Sequence, residues 1–245
     1  MANILKTEGI VLNTWDFKES SLICSVMTRK FGKIRLLAKG ARRPKSKFCG
    51  ELEPFSLDEI IFYKKEHKDL YTLSDTMLLE FFAGIRSSIA KVNAALVLCE
   101  FFDKTLPAEE SDENAYRMML SYLKALGLEN ENSIKRLVLC TLALALEPSG
   151  VKPELSGCVR CKQPLSHTDK RVNFSLSAGG LVCDQHFDDT VMVLKEKTVT
   201  ALGQVYEGKP AVINDDMILE IERFLTDYIY YHLHGIALNS LKHLK

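Results

Sequence analysis

The first third of the chain alternates apolar and polar positions in short segments that are separated by turn-forming residues. Such alternation is typical of strands with one buried face. Five short strands with no long helical segment among them predict a small barrel of the OB type. The predicted strands are Ile4–Thr14, Leu22–Thr28, Lys33–Lys39, Phe55–Tyr63 and Leu70–Ser74.

After Asp75 the apolar positions recur at intervals of three and four residues, which is the period of a helix with one buried side. The pattern runs from Leu78 to Phe102 and returns in segments 113–126 and 133–147. A last helix is predicted from Asp215 to Gly235, and it carries Tyr228, Tyr231 and His232. Aromatic residues at this spacing are typical of helix packing, so no function is assigned to these three.

Two tight pairs of potential metal ligands interrupt the helical region: Cys158-Val-Arg-Cys161 and Cys183-Asp-Gln-His186. Two ligands separated by two residues can meet one ion, and a Cys3His set matches the tetrahedral preference of zinc. Four protein ligands leave no position for water or substrate, so the ion should be structural. His167 is a reserve ligand, and a redox pair or unligated thiols are the alternatives.

Together these patterns predict an α+β fold of three parts. An N-terminal five-stranded OB-fold barrel occupies residues 1–78, and an all-α helical domain is built from residues 79–150 and 188–245. A small zinc-knuckle module, residues 151–187, is inserted into the helical domain. Between strands Val172–Leu176 and Leu181–Val182 of this module, Gly179 and Gly180 predict a hairpin turn.

Composition and hydropathy favour a protein of the cytoplasm. The chain has 47% hydrophobic residues and equal numbers of basic and acidic residues, 32 of each. Its longest apolar stretch, Leu137–Leu146, is far shorter than the roughly 20 residues needed to cross a bilayer. The N-terminus lacks the order of charged, apolar and small residues of a secretory signal. No membrane partner is expected.

The balanced total charge hides a basic segment. From Arg29 to Lys47 there are nine basic residues and no acidic one. Because the whole chain has 32 residues of each sign, the rest of the chain has nine more acidic than basic residues. Strand alternation places Lys33, Arg35 and Lys39 on one face, beside a loop that continues the basic run. OB barrels bind nucleic acid along such a face. A solvated strand and loop is the alternative.

Three aromatic residues near this segment, Trp15, Phe31 and Phe48, are possible stacking platforms for bases, although each is also a candidate for core packing. The sequence shows no arrangement of catalytic residues that matches a known hydrolase or deaminase pattern. No catalytic residue is predicted.

The order of motifs resembles that of the bacterial RecO family of recombination mediators. The resemblance covers essentially the whole chain and is most specific in the first 60 residues. Later residues also fit, namely the Cys-x-x-Cys with its second knuckle, then Tyr231-His232-Leu233 and Asn239-Ser240. The N-terminal motifs are Glu8-Gly-Ile-Val-Leu12, Phe17-Lys-Glu-Ser20, Thr28-Arg-Lys-Phe-Gly-Lys33, Ala38-Lys-Gly-Ala-Arg-Arg-Pro-Lys-Ser46 and Leu52-Glu-Pro-Phe55.

The resemblance implies a non-enzymatic role in DNA repair by recombination, at the bacterial nucleoid. It implies binding to single- and double-stranded DNA, annealing of complementary strands, and association with RecR and with the C-terminal tail of the single-strand binding protein SSB. The resemblance also implies an indirect action on RecA, which proteins of this family help to load at gaps in DNA. The DNA-facing residues that the resemblance implies are Lys33, Arg35, Lys39, Arg42, Arg43, Lys45 and Lys47.

Two other classes of function fit the same residues. One is a zinc-containing adaptor that binds RNA or serves as a protein scaffold, and preferential binding to RNA would distinguish it. The other is an enzyme with an open metal site, which a metal-bound water and chelator-sensitive turnover would reveal.

Overall fold

The computed structural model describes residues 3–48, 50–65, 68–164 and 171–244. Its first five strands form a closed barrel in the order β1-β2-β3-β5-β4, in which β1 also pairs with β4. All neighbours are antiparallel except β3 and β5. This confirms the predicted OB-type barrel. The strands are β1 (Asn3–Phe17), β2 (Ser21–Thr28), β3 (Gly32–Ala38), β4 (Leu57–Lys64) and β5 (Leu70–Glu80).

The barrel closes on an apolar core because alternate residues of every strand point inward. Ile34, Leu36 and Ala38 of β3 are buried there together with Ile60 and Phe62 of β4. The β2–β3 hairpin turns at Gly32, whose φ of 65° lies in the left-handed region. A Cβ atom at this position would also lie 2.3 Å from the backbone oxygen of Glu110. Glycine is therefore required at this turn.

The prediction that a helix already begins near Leu78 was wrong, because β5 continues to Glu80. Leu78 and Glu80 pair with Asp58 and Leu57 of β4, so strand pairing overrides the helical spacing of the apolar residues. Four helices follow the barrel. They are α1 (Ala83–Arg86), α2 (Ile89–Thr105), α3 (Glu113–Leu128) and α4 (Glu131–Ala145).

The chain divides into two compact units, Met1–Ile134 with Leu238–Lys245 and Lys135–Ala237. In the first unit, α2 contacts β1 and β2, and the Ser25 hydroxyl of β2 donates to the Asp103 carboxylate at 2.5 Å. Asp112 begins α3 by accepting hydrogen bonds from two backbone N–H groups of the first turn. The domain boundaries predicted at residues 78, 150 and 187 stay predictions.

The second unit contains a three-stranded sheet in the order β7-β6-β8 and two further helices. The predicted hairpin across Gly179 and Gly180 is confirmed as β6 and β7. The third strand was not predicted, because residues 188–245 were assigned to the all-α domain. The elements are β6 (Arg171–Ser175), β7 (Gly180–Val182), β8 (Val191–Lys195), α5 (Glu196–Tyr206) and α6 (Asp215–His232).

Aromatic rings fill the core of the second unit. Phe174 of β6 packs edge to face against Phe224 and Tyr228 of α6, and Tyr228 is almost completely buried. The His232 side chain hydrogen-bonds the Leu176 carbonyl at 2.8 Å, whereas Tyr231 remains 47% exposed. Tyr228 and His232 thus have structural contacts. In the described part of the chain, none of the helices has the length and apolar character of a membrane span.

Candidate nucleic-acid interface and metal centre

The outer face of β3 carries the basic residues that the alternation predicted. Arg35 and Lys39 are exposed and Leu37 is half-buried, whereas the residues between them point into the core. The predicted alternation is therefore confirmed.

Strand register extends this outer face into a row of mainly apolar and aromatic side chains. Leu37 lies opposite Ile23 of β2, and Ile23 lies opposite Trp15 of β1. On the other side Leu37 pairs with Thr72 of β5, and Thr72 pairs with Tyr63 of β4. Directly paired residues share one face of a sheet, so the row ends in an aromatic ring on each side.

A groove runs along one end of this row, between β3, the end of β4 and the start of β5. Its walls include Leu37, Lys39 and Tyr63 together with Lys65 and Lys68. Tyr63, Lys65 and Lys68 were not identified from the sequence as candidate site residues. Lys65 and Lys68 are separated from the basic segment and are interleaved with Glu66 and Asp69, so they form no charge run. Register alone brings them beside Lys39.

The loop after β3 carries the other predicted cations. Arg42 forms an ion pair with Asp16 at 3.0 Å, and Lys47 forms one with Asp75 at 3.2 Å. The Lys47 ammonium also donates to the Ser74 carbonyl. All four charged side chains are at least 41% exposed, so salt and a competing polyanion can displace these pairs. They fix the loop against the barrel.

Four of the predicted cations, Arg35, Lys39, Arg43 and Lys45, form no ion pair with any carboxylate in the part of the chain that the structure describes. All four side chains are exposed. Arg35 and Lys39 flank Leu37 of the row on one strand face, and Arg43 and Lys45 follow in the loop after β3. Such an arrangement is suited to phosphate groups on a strand whose bases contact the row.

Lys33 differs from the other predicted cations because α2 covers its end of the strand. Its ammonium donates to the backbone carbonyl of Asp103, and burial lowers its pKa although the Asp103 carboxylate opposes the shift. The structure therefore places Lys33 apart from the exposed group. Whether any of the seven cations contacts DNA stays a prediction.

Of the three aromatic residues named as possible platforms, Phe48 lies in the barrel core and the half-buried Phe31 packs against that core. Phe48 is 5% exposed, and Phe31 packs edge to face on Phe62 at a centroid distance of 5.6 Å. Trp15, at the end of the outer row, is 40% exposed. Trp15 and Tyr63 thus offer aromatic surface at the two ends of the row.

The four predicted metal ligands meet in one cluster. One ligand atom each from Cys158, Cys161, Cys183 and His186 lies within 4.8 Å of the other three. Local backbone hydrogen bonds close both turns: the Lys162 N–H donates to the Cys158 carbonyl, and the His186 N–H donates to the Cys183 carbonyl. His167 lies outside the described residues.

The donor set fits zinc. Tetrahedral Zn–S bonds of about 2.3 Å place two sulfurs about 3.8 Å apart, and the Cys161 and Cys183 sulfurs are 3.9 Å apart. Burial alone would raise the pKa of the Cys158 thiol. Backbone N–H groups of Cys161, Cys183 and Arg160 directed at its sulfur outweigh burial and lower that pKa to about 6. A thiolate is the form that binds metal. The cluster could hold one ion through four protein ligands.

The first knuckle packs directly on the hairpin that carries the second. The Val159 N–H donates to the Leu181 carbonyl at 2.8 Å. A Cβ atom at Gly180 would lie 2.4 Å from a Val159 methyl group and 2.8 Å from Glu154. Glycine at position 180 therefore permits the close approach that brings the two ligand pairs together.

Comparison with known protein families accounts for nearly the whole chain. Residues 1–82 match the family model described as Recombination protein O N terminal, and residues 86–242 match Recombination protein O C terminal.

Individual relatives agree with this result. A protein of Alkaliphilus metalliredigens named DNA repair protein RecO is 29% identical over 249 aligned residues, which cover 98% of each chain. Relatives of the same name from Bifidobacterium adolescentis and Syntrophus aciditrophicus are 36% and 32% identical. Those alignments cover 74% and 73% of this chain, and 72% and 68% of the relatives.

Proposed function

Because the chain belongs to the RecO family of recombination proteins, we propose that it is a DNA-binding mediator of recombinational DNA repair. We further propose that it acts without bond chemistry, by binding and annealing complementary strands. The observation that carries this proposal is the group Arg35, Lys39, Arg43 and Lys45, which form no ion pair with a described residue. Two of them lie on the β3 face that belongs to a row with an aromatic residue at each end.

The proposed mechanism follows from where the charges lie. Annealing requires two polyanions to approach each other, and cations on a barrel face can neutralise phosphates of a bound strand. Bases of that strand would stack on Trp15 and Tyr63. Stacking uses the faces of the bases and leaves their pairing edges free for a complementary strand. The barrel would thus lower the repulsion between two strands and leave the pairing edges of their bases uncovered.

The zinc-knuckle cluster has a supporting role in this proposal. Four protein ligands fill a tetrahedral shell, so one Zn²⁺ at Cys158, Cys161, Cys183 and His186 would hold the module together and would not activate a substrate. The structural role of the zinc and the DNA-binding role of the barrel can then be tested separately.

The protein partners follow from the family resemblance. We propose that the chain associates with RecR and with the acidic C-terminal tail of SSB, and that it helps to load RecA on SSB-coated single-stranded DNA in the bacterial cytoplasm. These partners would direct an annealing and loading activity to gaps. Both single- and double-stranded DNA are proposed ligands.

A strand-annealing assay tests the proposal. Two complementary labelled oligonucleotides, one of them coated with SSB, are mixed with the wild-type protein or with the double variant Arg35→Ala, Lys39→Ala. We expect rapid annealing by the wild type and a loss of about tenfold or more in affinity and rate for the variant. The matched control removes two exposed cations of α3, Arg117→Ala and Lys124→Ala, and should behave as wild type.

Several outcomes would contradict the proposal. Equal annealing by the double variant and the wild type would reject the barrel face as the site. Preferential binding to RNA that DNA cannot displace would favour the RNA-binding adaptor. Turnover that depends on the metal would favour an enzyme.

A further inference from the structure

Three oxygen atoms without a hydrogen-bond partner lie together in the wall of the barrel, where β4 pairs with β5. In the part of the chain that the structure describes, four buried side-chain oxygens have no partner, and three of them belong to Glu51, Asp58 and Thr76. Such atoms are rare in folded proteins, and an ion or a water is the usual explanation. Nucleic-acid binding does not account for them, because Asp58 is fully buried.

Strand register shows that the three groups are neighbours. Asp58 of β4 pairs directly with Leu78 of β5. Two residues further along β4, Ile60 pairs with Thr76, which makes Thr76 a diagonal neighbour of Asp58 on the same face of the sheet. The Leu78 N–H is directed at the carboxylate of Glu51, so Glu51 lies beside Leu78 and close to Asp58. The three oxygens therefore belong to one cluster.

The two carboxylates of this cluster repel each other. Burial raises the pKa of the Glu51 carboxyl, and the charges of Asp58 and Asp75 raise it further. The Lys47 charge opposes this shift, but the Lys47 ammonium is already paired with Asp75 at 3.2 Å. Lys47 therefore does not neutralise the Glu51–Asp58 pair.

The cation on the other side of the cluster, Arg86, is also held by other groups. Its guanidinium donates to the carbonyls of Phe81 and Pro54 and lies over the Phe55 ring at 4.2 Å. Its charge opposes the rise in the pKa of Asp58, but Arg86 forms no ion pair with any carboxylate among residues 3–48, 50–65, 68–164 and 171–244. The cluster thus carries negative charge that its neighbours balance only in part.

A hard divalent cation matches this donor set. Mg²⁺ takes oxygen ligands, is usually bound by one or two carboxylates, and keeps several waters. Glu51 and Asp58 supply one carboxylate each, and Thr76 supplies a hydroxyl oxygen. Glu51 is only half-buried, so solvent can reach the remaining positions of an octahedron. A bridging water would satisfy the three oxygens but would leave the two negative charges without a counter-charge.

We propose that Glu51, Asp58 and Thr76 form a binding site for one Mg²⁺ ion. The site goes beyond the proposed function, because binding of the ion requires no DNA. The ion would join Glu51, which ends the basic loop after β3, to strands β4 and β5. It would thereby fix the far end of the loop that carries Arg43 and Lys45.

The test locates a paramagnetic ion on the full-length, zinc-loaded protein in the absence of DNA. MnCl₂ is titrated into protein that is free of Mg²⁺, and the broadening of backbone amide signals is recorded by NMR. We expect saturable broadening centred on residues 51–52, 58 and 76–78, and excess MgCl₂ should reverse it. Asp58→Asn and Glu51→Gln should each weaken Mn²⁺ binding about tenfold or more. Each variant removes one of two repelling charges, so both should fold without the metal.

A second measurement reports on the loop. MgCl₂ should slow hydrogen exchange of the amides of residues 50–58 in the wild type and should have no such effect in Asp58→Asn. Glu19→Gln is the matched control, because it removes an exposed carboxylate of the same unit outside the cluster. This control should bind Mn²⁺ as the wild type does.

Two outcomes would overturn the proposal. Mn²⁺ could leave the signals of residues 51–58 and 76–78 unchanged, or both Asp58→Asn and Glu51→Gln could bind it with wild-type affinity. The double variant Arg35→Ala, Lys39→Ala should lose oligonucleotide binding and keep the Mn²⁺ site. Failure of the proposed function and failure of the metal site can therefore be distinguished.

Discussion

The barrel face and the zinc-knuckle module gather their functional groups by different physical routes. In the module, four ligands come from two short turns, and each turn is closed by its own backbone hydrogen bonds. On the barrel, Trp15, Leu37 and Tyr63 come from three strands that are far apart in sequence and are joined by register. A local motif therefore defines the first site, whereas the second depends on the whole barrel.

The two regions also treat ionisable groups differently. The module directs backbone N–H groups at the Cys158 sulfur, which lowers the pKa of its thiol to about 6 and prepares it for a cation. The barrel turns most of its cations outward and leaves several unpaired. The module thus presents donor atoms that suit a cation, and the barrel face presents cations that suit an anion. Variants of the metal ligands and variants of the barrel cations should therefore have separate effects.

The largest effect is expected from loss of a metal ligand. Cys183→Ser leaves three ligands, and metal binding in zinc-finger peptides contributes apparent free energies of about 10 to 16 kcal/mol. We expect the variant to lose bound zinc in elemental analysis and to lose hydrogen-exchange protection in β6, β7 and β8. Barrel amides should keep their protection.

The matched control for this variant is Cys140→Ser, which removes a thiol outside the cluster. It should keep the metal and the protection of the sheet. Equal protection of β6–β8 in the presence and absence of a strong chelator would contradict a structural metal.

The contrast between local and non-local sites explains what could be predicted from the sequence. The ligand set Cys158, Cys161, Cys183 and His186 followed from spacing alone, and the structure confirms that the four side chains meet. Tyr63, Lys65 and Lys68 could not be found in this way, because their position beside Lys39 depends on how β3, β4 and β5 pair. Strand alternation places Lys33 on the same face of β3 as Arg35 and Lys39, but α2 covers that end of the strand.

The fold shows the same limit. Alternation predicted all five barrel strands, but β5 continues to Glu80, where its residues also fit a helical period. β8 is only five residues long and leads directly into α5, so its pattern is too short to separate from the helix. Pairing with β6 makes it a strand, and that partner is distant in sequence.

The second largest effect should come from the aromatic ends of the outer row. Stacking contributes about 1–3 kcal/mol per base, so Trp15→Ala or Tyr63→Ala should weaken binding of a single-stranded oligonucleotide about fivefold to a hundredfold. Fluorescence anisotropy at constant salt measures this loss. Because stacking is not ionic, the dependence of affinity on salt should stay that of the wild type.

Tyr230→Ala is the control for this pair of variants, since Tyr230 is a 60% exposed tyrosine of the second unit. Its removal should not change oligonucleotide affinity. An unchanged affinity for both Trp15→Ala and Tyr63→Ala would mean that bases do not contact the row.

A smaller effect should separate the unpaired cations of the loop from the paired ones. Each phosphate neutralised on a single strand contributes roughly −0.7 to the slope of log affinity against log salt concentration. Arg43→Ala with Lys45→Ala should therefore flatten the slope by up to about 1.4. Arg42→Ala with Lys47→Ala should flatten it less, because Asp16 and Asp75 already neutralise these cations. Equal slopes for the two double variants would contradict a difference between the paired and the unpaired cations of the loop.

The smallest effect concerns Asp58, a carboxylate that is buried in strand β4 of the barrel. Asp58 is fully buried, and its Oδ2 accepts a hydrogen bond from the Ser56 hydroxyl. Its Oδ1 has no hydrogen-bond partner among the described residues. Burial raises the pKa of this carboxyl, although Ser56, the Leu52 N–H and the Arg86 charge oppose the shift. In contrast to the Cys158 sulfur, this buried group is not prepared to carry its charge.

The raised pKa fixes the sign of the pH dependence. A group whose folded-state pKa lies above its unfolded value stabilises the fold below the unfolded pKa, here 3.8, and this contribution is lost as pH rises through the folded pKa. Asp58→Asn keeps the shape and stays neutral, so it removes the cost of burying a charge at neutral pH. We expect it to raise the free energy of unfolding at pH 7 by about 1 kcal/mol, measured by urea denaturation. The gain should shrink toward pH 3, and Asp75→Asn, at an exposed position, should show no such gain. A lower stability of Asp58→Asn at pH 7 would mean that attraction to Arg86 outweighs burial of the carboxylate.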